Sequence, residues 1–384
     1  MISHADTITG IEGYFLRCTM PEPAGNALRV FSERTGLLVR IVTAAGQEGW
    51  GETWAYPHAA AALIRHQLAP LVLGKSITNP RDIHQTMLAA AVPDRRGQIH
   101  MALSAIDVAV WDALGRSCGR SIAELLGGAL RTDVVTYASG PLLPAGANRY
   151  AGFEQAVERY VEDGFRAVKI RVGVGFQDDV RAIEAARSIV GIDGTLMIDL
   201  NEASTVADAL ALAEATASSR LAWIEEPIRH DNLAGYRKLA DKLPVPVSGG
   251  ESFCGAQAFR DVMADGSLAI LQPDLAICGG FTEGMKIAGL ADAFDTAIAP
   301  HVWGSGVNFL ASLQYAAVLT GYGKHPHFPL FEYDKSYNPL RSRIFDPRPD
   351  GQGRIAIPDG PGLGMPIRID VLGEYVTDRW SVSA

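Results

Sequence analysis

From Val134 onward, short apolar runs alternate along the chain with amphipathic segments. The amphipathic segments repeat their apolar residues at helical spacing, as in 155–164, 179–191 and 206–217. The apolar runs lie at 134–139, 167–172, 196–201, 222–227, 246–251, 269–275, 296–302 and, less regularly, 327–333. Continuous apolar strands that alternate with helices are typical of a parallel sheet covered on both faces. Eight such strands favour an α/β fold of the (β/α)-barrel type over an open doubly wound sheet.

The first 130 residues follow a different pattern. Residues 37–55 predict two strands joined by a turn at Ala45-Gly46, and a strand hairpin followed by helices indicates a small α+β unit. Helical spacing covers 59–72, 80–91 and 99–119. The chain therefore divides into three predicted parts: an N-terminal α+β capping domain (1–130), a (β/α)-barrel (131–355) and a C-terminal segment that packs back on the capping domain (356–384).

Composition and charge indicate which classes of molecule the protein is unsuited to bind. The 384 residues carry a net charge of −9 without a Lys/Arg-rich run, so nucleic acid and anionic membrane surfaces are poor partners. The four cysteines are far apart and show no CxxC spacing, which fits free thiols in a reducing compartment. Neither a signal peptide nor an 18-residue apolar span is visible. We therefore expect a soluble cytoplasmic protein.

Seven of the predicted barrel strands end in polar residues that a buried strand should avoid. In a (β/α)-barrel the carboxyl ends of the strands converge on one site, so polar residues there predict catalysis. These residues are Lys169 and Arg171, Asp199 and Asn201, Glu225 and Glu226, Glu251, Asp274, His301, and Glu332. His325 and His327, in a Pro-containing loop, carry no metal prediction.

Spacing sharpens the expectation for five of these residues. Asp199, Glu225 and Glu251 lie 26 residues apart, one β/α unit each, which predicts neighbouring strand ends. Three oxygen ligands suit a hard cation with open positions, Mg²⁺ before Zn²⁺; for any one of them alone, a solvated carboxylate is the alternative. Asp274 and His301 are again about one unit apart, and a carboxylate beside an imidazole makes a competent acid or base.

Several segments resemble the enolase superfamily, specifically its mandelate racemase/muconate lactonizing enzyme branch. They are GWGET (49–53) and residues 105–128 in the capping domain, and VKIRVG, MIDLN, WIEEP, SGGES, LQPDL and APHVWGSG in the barrel. Residues 271–291, 300–307, 331–339 and 357–364 most resemble sugar-acid enzymes of the D-galactarolactone cycloisomerase type. The resemblance implies the modified TIM barrel of that superfamily.

The same resemblance implies roles for the strand-end residues. Asp199, Glu225 and Glu251 become the ligands of Mg²⁺, for which Mn²⁺ is a possible substitute, and His301 with Asp274 becomes the acid/base dyad. The remaining roles are assigned as follows: Lys169 lies beside the substrate carboxylate, Glu332 hydrogen-bonds a carboxylate oxygen, and Asn201, Glu226, Ser139 and Trp303 form the surrounding shell or touch substrate. A small carboxylate substrate and a homo-oligomer are also implied.

Arg171 departs from the family pattern. Members with a base on each face of the substrate usually carry a second Lys there, and a guanidinium is a poor proton acceptor. The first hypothesis is therefore α-proton abstraction from a sugar acid or its lactone, followed by β-elimination, as in a cycloisomerase or dehydratase. An epimerase is the alternative within the family. A Schiff-base aldolase using Lys169, or a non-catalytic sugar-acid binder, is the alternative outside it. Substrate identity is expected to depend on capping loops at 20–35 and 52–60.

Overall fold

The computed structural model describes residues 6–92, 96–321 and 328–384, so His325 and His327 lie outside the described residues. The strands are β1 (Ile8–Gly25), β2 (Val30–Thr43), β3 (Glu48–Thr53), β4 (Asp133–Ser139), β5 (Leu143–Pro144), β6 (Ala167–Arg171), β7 (Thr195–Asp199), β8 (Ile224–Glu225), β9 (Val247–Gly249), β10 (Ile270–Leu271), β11 (Ala297–Ile298), β12 (Phe331–Asp334), β13 (Arg354–Ala356) and β14 (Val376–Ser383). The helices are α1 (Pro57–Leu63), α2 (Ala69–Val72), α3 (Pro80–Ala90), α4 (Gln98–Cys118), α5 (Ile122–Leu125), α6 (Phe153–Glu162), α7 (Phe176–Val190), α8 (Val206–Ala215), α9 (Leu233–Lys242), α10 (Gly255–Asp265), α11 (Gly280–Ala293), α12 (Gly306–Val318) and α13 (Pro339–Ser342). A π-helical turn (Ile64–Leu68) joins α1 to α2, and 3₁₀ turns cover Ala217–Ser219 and Ile369–Tyr375.

The N-terminal part is an antiparallel sheet in the order β14-β1-β2-β3. Strand β14 comes from the far end of the chain and pairs with β1 from Gly10 opposite Ser383. The predicted hairpin at 37–55 is present, but β2 begins earlier and pairs with the long strand β1 as far as Gly25 opposite Val30. The expected loop at 20–35 is therefore wrong. It is mostly a two-stranded ribbon, whose largely exposed residues lack the apolar alternation that reveals a half-buried strand.

Two glycines allow the capping sheet to pack closely on α4. A Cβ on Gly49 would lie 2.0 Å from the Ala109 carbonyl oxygen, and one on Gly51 would lie 2.0 Å from that of Ala105. Because side chains alternate along a strand, Trp50 and Glu52 point to the opposite face. The alternation of glycine with larger residues in the GWGET segment thus reflects the close packing of α4 on one face of β3.

The barrel consists of parallel strands in the order β11-β10-β9-β8-β7-β6-β4-β12, with helices between them, which confirms the predicted fold class. Strand β13 pairs antiparallel with the other end of β4. The first and last strands in this order, β11 and β12, are linked by a hydrogen bond: the Val302 amide, just after β11, donates to Glu332 Oε2 on β12 at 2.9 Å. The sheet thus curls so that its carboxyl ends face one mouth.

In the described part of the chain, no helix is both long enough and apolar enough to cross a membrane. None of the four cysteines, all of which lie within the described ranges, forms a disulfide.

Candidate functional site

The strand ends bring the predicted residues to one mouth of the barrel. Their register follows directly from the parallel ladders: Ser139 lies opposite Lys169 and Asp334, Arg171 opposite Asp199, and Asp199 opposite Glu225. Glu251, Asp274 and His301 follow their strands within two or three residues. The spacing argument from sequence therefore places these side chains correctly around a common space.

Lys169 lies at the centre of the acidic groups and is almost fully buried. Its ammonium contacts Glu225, lies 2.9 Å from Glu332 Oε1 and lies 3.9 Å from Asp199 Oδ2. Burial alone would lower the pKa of Lys169, but the surrounding carboxylates raise it well above its usual value. Lys169 is thus a fixed positive charge, held by three barrel strands.

The three predicted metal ligands form an acidic wall beside Lys169. Asp199 accepts hydrogen bonds from the Asn201 amide at 2.8 Å and from Asn201 Nδ2 at 2.9 Å. Burial raises the pKa of each carboxyl; Glu251 raises that of Asp199 further, and Asp199 does the same for Glu225. Because these buried carboxylates repel one another, a hard divalent cation that prefers oxygen ligands would be stabilised among them.

These carboxylates are not a preformed metal cage in the described residues, where no three His, Cys, Asp or Glu side chains are gathered as a metal cluster. Lys169 lies among them instead, and Gln272 Nε2 donates to Glu225 Oε2 at 2.6 Å. The donor chemistry of these three carboxylates nevertheless fits Mg²⁺.

The His301–Asp274 pair is the most strongly held part of the site. His301 Nδ1 lies 2.7 Å from Asp274 Oδ2. Three further donors reach the same carboxylate: Trp54 Nε1 at 2.8 Å, the Ala276 amide at 2.8 Å and Asn308 Nδ2 at 3.0 Å. Asp274 is fully buried, so four donors fix both its oxygens and the imidazole that it orients.

The other nitrogen of His301 faces the acidic wall. Its Nε2 lies 3.4 Å from Glu251 Oε2 and 4.0 Å from Glu332 Oε2. Burial would lower the pKa of His301, but Glu251, Glu332 and Asp274 raise it to about 10. Glu332 shows the reverse effect: burial would raise its pKa, but Lys169 and His301 lower it to about 2.

Arg171, Ser139, Glu226 and Trp303 also reach the mouth. The Arg171 guanidinium carbon lies 5.7 Å from the centre of the Trp303 ring. Burial would lower the pKa of Arg171, but Asp199, Asp334 and Glu332 raise it. Among the described residues, Arg171 Nη1, Ser139 Oγ and Glu226 Oε1 have no hydrogen-bond partner.

Sequence reasoning did not name four side chains that contact the site residues, although two of them lie in the capping ranges 20–35 and 52–60 that it singled out for substrate identity. The four are Trp54, Arg34, Gln272 and Asn308. Trp54 comes from the capping domain and lies with its ring 6.0 Å from that of His301. Gln272 lies two residues before Asp274 in the LQPDL segment, the only signal that sequence offered. The other three lie 34, 220 and 300 residues from the groups they bond, a separation that no local pattern reveals.

The fold and the site define a two-domain barrel enzyme whose strand ends carry buried carboxylates, a lysine and a His–Asp pair. Family models then give the family. Residues 12–127 match the mandelate racemase/muconate lactonizing enzyme N-terminal domain, and residues 152–371 match the enolase C-terminal domain-like family. The chain belongs to the mandelate racemase/muconate lactonizing enzyme branch of the enolase superfamily, as its motifs predicted.

Similar proteins carry out several related reactions. The chain is 36% identical over 375 residues to the D-galactarolactone cycloisomerase of Agrobacterium fabrum, covering 96% of this chain and 98% of that one. It is 30% identical to the arabinonate dehydratase of Saccharolobus solfataricus, covering 87% and 89% of the two chains. A racemase from Streptomyces coelicolor, solved with bound magnesium, superposes with a TM-score of 0.86 at 26% identity and covers 96% and 100%.

Proposed function

We propose that the protein abstracts the α-proton of a sugar acid or sugar-acid lactone, with Mg²⁺, and then eliminates a β-substituent through an enediolate. The observation that carries the proposal is the His301–Asp274 pair, whose second nitrogen, Nε2, faces Glu251 and Glu332 at the mouth of the barrel. The names of the cycloisomerase and dehydratase relatives support the same reaction class. One positioned acid/base group suffices for β-elimination, since it can serve both proton transfers.

The metal would be held by Asp199, Glu225 and Glu251, and Mn²⁺ could replace Mg²⁺. When bound, the cation supplies positive charge that offsets the charge developing on the substrate carboxylate. Lys169 adds a second, fixed positive charge to the same region. Glu332, anionic and bonded to both Lys169 and the Val302 amide, keeps that ammonium in place.

His301 moves the proton at Nε2 in this proposal. Its Nδ1 is held by Asp274, so the ring presents one nitrogen to the substrate in a fixed orientation. The neighbouring carboxylates favour its charged form, which suits protonation of the leaving group. With the charge of Glu251 offset by a bound cation, the imidazolium would lose part of that stabilisation, and the neutral ring would then accept the α-proton.

The structure favours this reaction over the alternatives. An epimerase needs an acceptor on each face of the substrate, and the guanidinium of Arg171 does not provide one at neutral pH. A Schiff-base aldolase would need a neutral Lys169, and it would give the three spaced carboxylates no role.

Proton NMR in D₂O, with Mg²⁺ and then with excess EDTA, tests the proposal across aldonic acids, aldaric acids and aldaric lactones. We expect a 2-keto, 3-deoxy product that forms with Mg²⁺ and stops with EDTA. His301→Asn should lose turnover while it still binds Mg²⁺ by calorimetry. Deuterium exchange without net product would favour the epimerase, turnover that EDTA leaves unchanged would contradict the metal assignment, and substantial activity in His301→Asn would remove that residue from the mechanism.

Five further expectations stay proposals. We propose a homo-oligomer, which light scattering would test, a cytoplasmic location, and the domain division at residues 130 and 355. Asn201, which bonds Asp199, and Glu226, next to Glu225, are proposed as supports of the ligand shell; Ser139 and Trp303 are proposed as substrate contacts.

A further inference from the structure

Two guanidinium groups at the mouth have no part in the proton transfers proposed above. Arg34 comes from β2 of the capping domain and Arg171 from β6 of the barrel. Both are buried, with 4% and 6% of their surface exposed. Their guanidinium carbons lie 4.0 Å and 5.7 Å from the centre of the same Trp303 ring, so two domains bring two positive charges to one aromatic side chain.

These groups carry donors that the protein does not use. Arg34 donates through Nη2 to Asp334 Oδ2 at 2.8 Å and also contacts Ser336. Within the described residues, its Nε and Nη1, together with Arg171 Nη1 and Ser139 Oγ, are buried without a hydrogen-bond partner. Buried donors are nearly always paired, because leaving one unpaired costs free energy. Several unpaired donors in one place therefore indicate a missing acceptor.

The local charge points to an acceptor that is anionic. Asp334 is the one carboxylate that forms an ion pair with either guanidinium in the described ranges. Asp199 and Glu332 influence Arg171 electrostatically but are not its ion-pair partners. Burial lowers the pKa of Arg34 and the charge of Arg171 lowers it further, against the effect of Asp334. A second anion between the guanidinium groups would relieve both the repulsion and the unpaired donors.

We propose that Arg34 and Arg171, with Ser139, bind the distal carboxylate of a dicarboxylic substrate, which makes open-chain aldaric acids the preferred class. This inference rests on the proposed function, because it takes the reacting carboxylate to lie beside Lys169. Arg171 is two residues from Lys169 on the same face of β6, which sets their Cα atoms about 6.6 Å apart. That separation suits the two ends of an extended sugar diacid, and the planar guanidinium fork suits a carboxylate.

The test compares six-carbon aldarates with the aldonates that differ from them only at C6. Equilibrium binding is measured by calorimetry in the His301→Asn variant with Mg²⁺, so that no turnover intervenes. We expect the preferred aldarate to bind about 10- to 100-fold more tightly than its aldonate, the range for charge-assisted hydrogen bonds to an arginine. In the otherwise native enzyme, kcat/KM should show the same preference.

Removal of Arg34 should abolish that preference. The double substitution Arg34→Gln and Asp334→Asn avoids a buried, unpaired carboxylate. We expect it to weaken aldarate binding about 10- to 100-fold and to change aldonate binding less than about threefold. Arg40→Gln is the matched control, because Arg40 lies on the same strand but pairs with Glu12 and Glu48; it should leave both affinities unchanged.

The outcomes separate this inference from the proposed function. Equal affinity for aldarates and aldonates, or an equal loss of both in the double variant, would overturn the second carboxylate site. Mg²⁺-dependent elimination from aldonates alone would also overturn it and leave the proposed reaction intact. If no sugar acid reacted while the aldarate preference persisted in binding, the proposed reaction would fail instead.

Discussion

The hydrogen bond from Trp54 to Asp274 offers the sharpest test of how the capping domain supports catalysis. Trp54→Phe keeps an aromatic ring and removes the indole N–H, which lies 2.8 Å from Asp274 Oδ2. A hydrogen bond to a charged group contributes about 1.5–3 kcal/mol. Asp274 keeps three other donors, so we take the lower part of that range, about 1.5–2 kcal/mol. If the loss falls on the orientation of His301 in the transition state, kcat drops about 10- to 30-fold.

Trp111→Phe is the matched control for this substitution. Trp111 Nε1 also bridges the two domains, but it donates to the neutral hydroxyl of Thr282 at 3.0 Å, away from the His–Asp pair. Its loss should lower the free energy of unfolding by about 0.5–1.5 kcal/mol and change kcat less than about twofold.

The assay is steady-state turnover of the substrate that NMR identifies, together with thermal unfolding of each variant. We expect Trp54→Phe to lose kcat with little change in KM, because its donor acts on the acid/base pair. Equal kinetic losses in the two variants would mean that domain docking in general, and not the bond to Asp274, supports activity. Full activity in Trp54→Phe would refute the reasoning outright.

Three other substitutions test the metal site, a buried histidine and the domain packing. Glu251→Gln should weaken Mg²⁺ binding by calorimetry at least about 10-fold, since it removes a ligand charge. Burial lowers the pKa of His84 to about 4, so between that value and 6.5 the unfolded chain binds more protons and stability falls with falling pH. At about pH 5 this effect lowers the free energy of unfolding by on the order of 2 kcal/mol. His84→Gln should remove that acid-dependent loss, which urea unfolding at about pH 5 and pH 7 measures. Gly51→Ala would set a Cβ against the Ala105 carbonyl and cost about 1–3 kcal/mol or more in unfolding free energy.

Each of these substitutions has a control of the same residue type. Glu226→Gln should reduce Mg²⁺ affinity less than Glu251→Gln, and the reverse order would exchange the two assignments. His66→Gln changes an exposed histidine and should leave the acid sensitivity as it is. Gly289→Ala lies on an exposed turn of α11 with nothing near its Cβ, so it should be neutral or stabilise by up to about 1 kcal/mol; comparable losses at Gly289 and Gly51 would contradict the packing argument.

The barrel and the strand-end residues could be predicted because both depend on local, repeated patterns. A buried strand is a continuous apolar run, and its end is marked by a polar residue, as at Asp199 and Glu225. The 26-residue interval then orders neighbouring strands. The same logic found β3 and the second part of β2 but missed β1. The ribbon at residues 20–35, formed by the end of β1 and the start of β2, is largely exposed and lacks the apolar alternation of a half-buried strand.

What the sequence did not reveal are contacts made between distant segments. Two of the donors to Asp274 come from residues 54 and 308, and although 52–60 was expected to influence substrate identity, nothing local to Trp54 marks it as a partner of Asp274. Arg34 is likewise an ordinary arginine in a strand until the fold places it against Asp334 and Trp303. Sequence spacing orders groups within one sheet; it does not predict which side chains a second domain brings to them.

Strand β3 has a consequence for how such enzymes diversify. Gly49 and Gly51, which allow close packing on α4, lie only a few residues before Trp54, which donates a hydrogen bond to Asp274 of the barrel's acid/base pair. A recombinant that takes residues 1–130 from a relative would therefore exchange one of the four donors to Asp274 along with the substrate-facing arginine of β2. Turnover and substrate preference would therefore change together, because the capping domain contributes side chains to both.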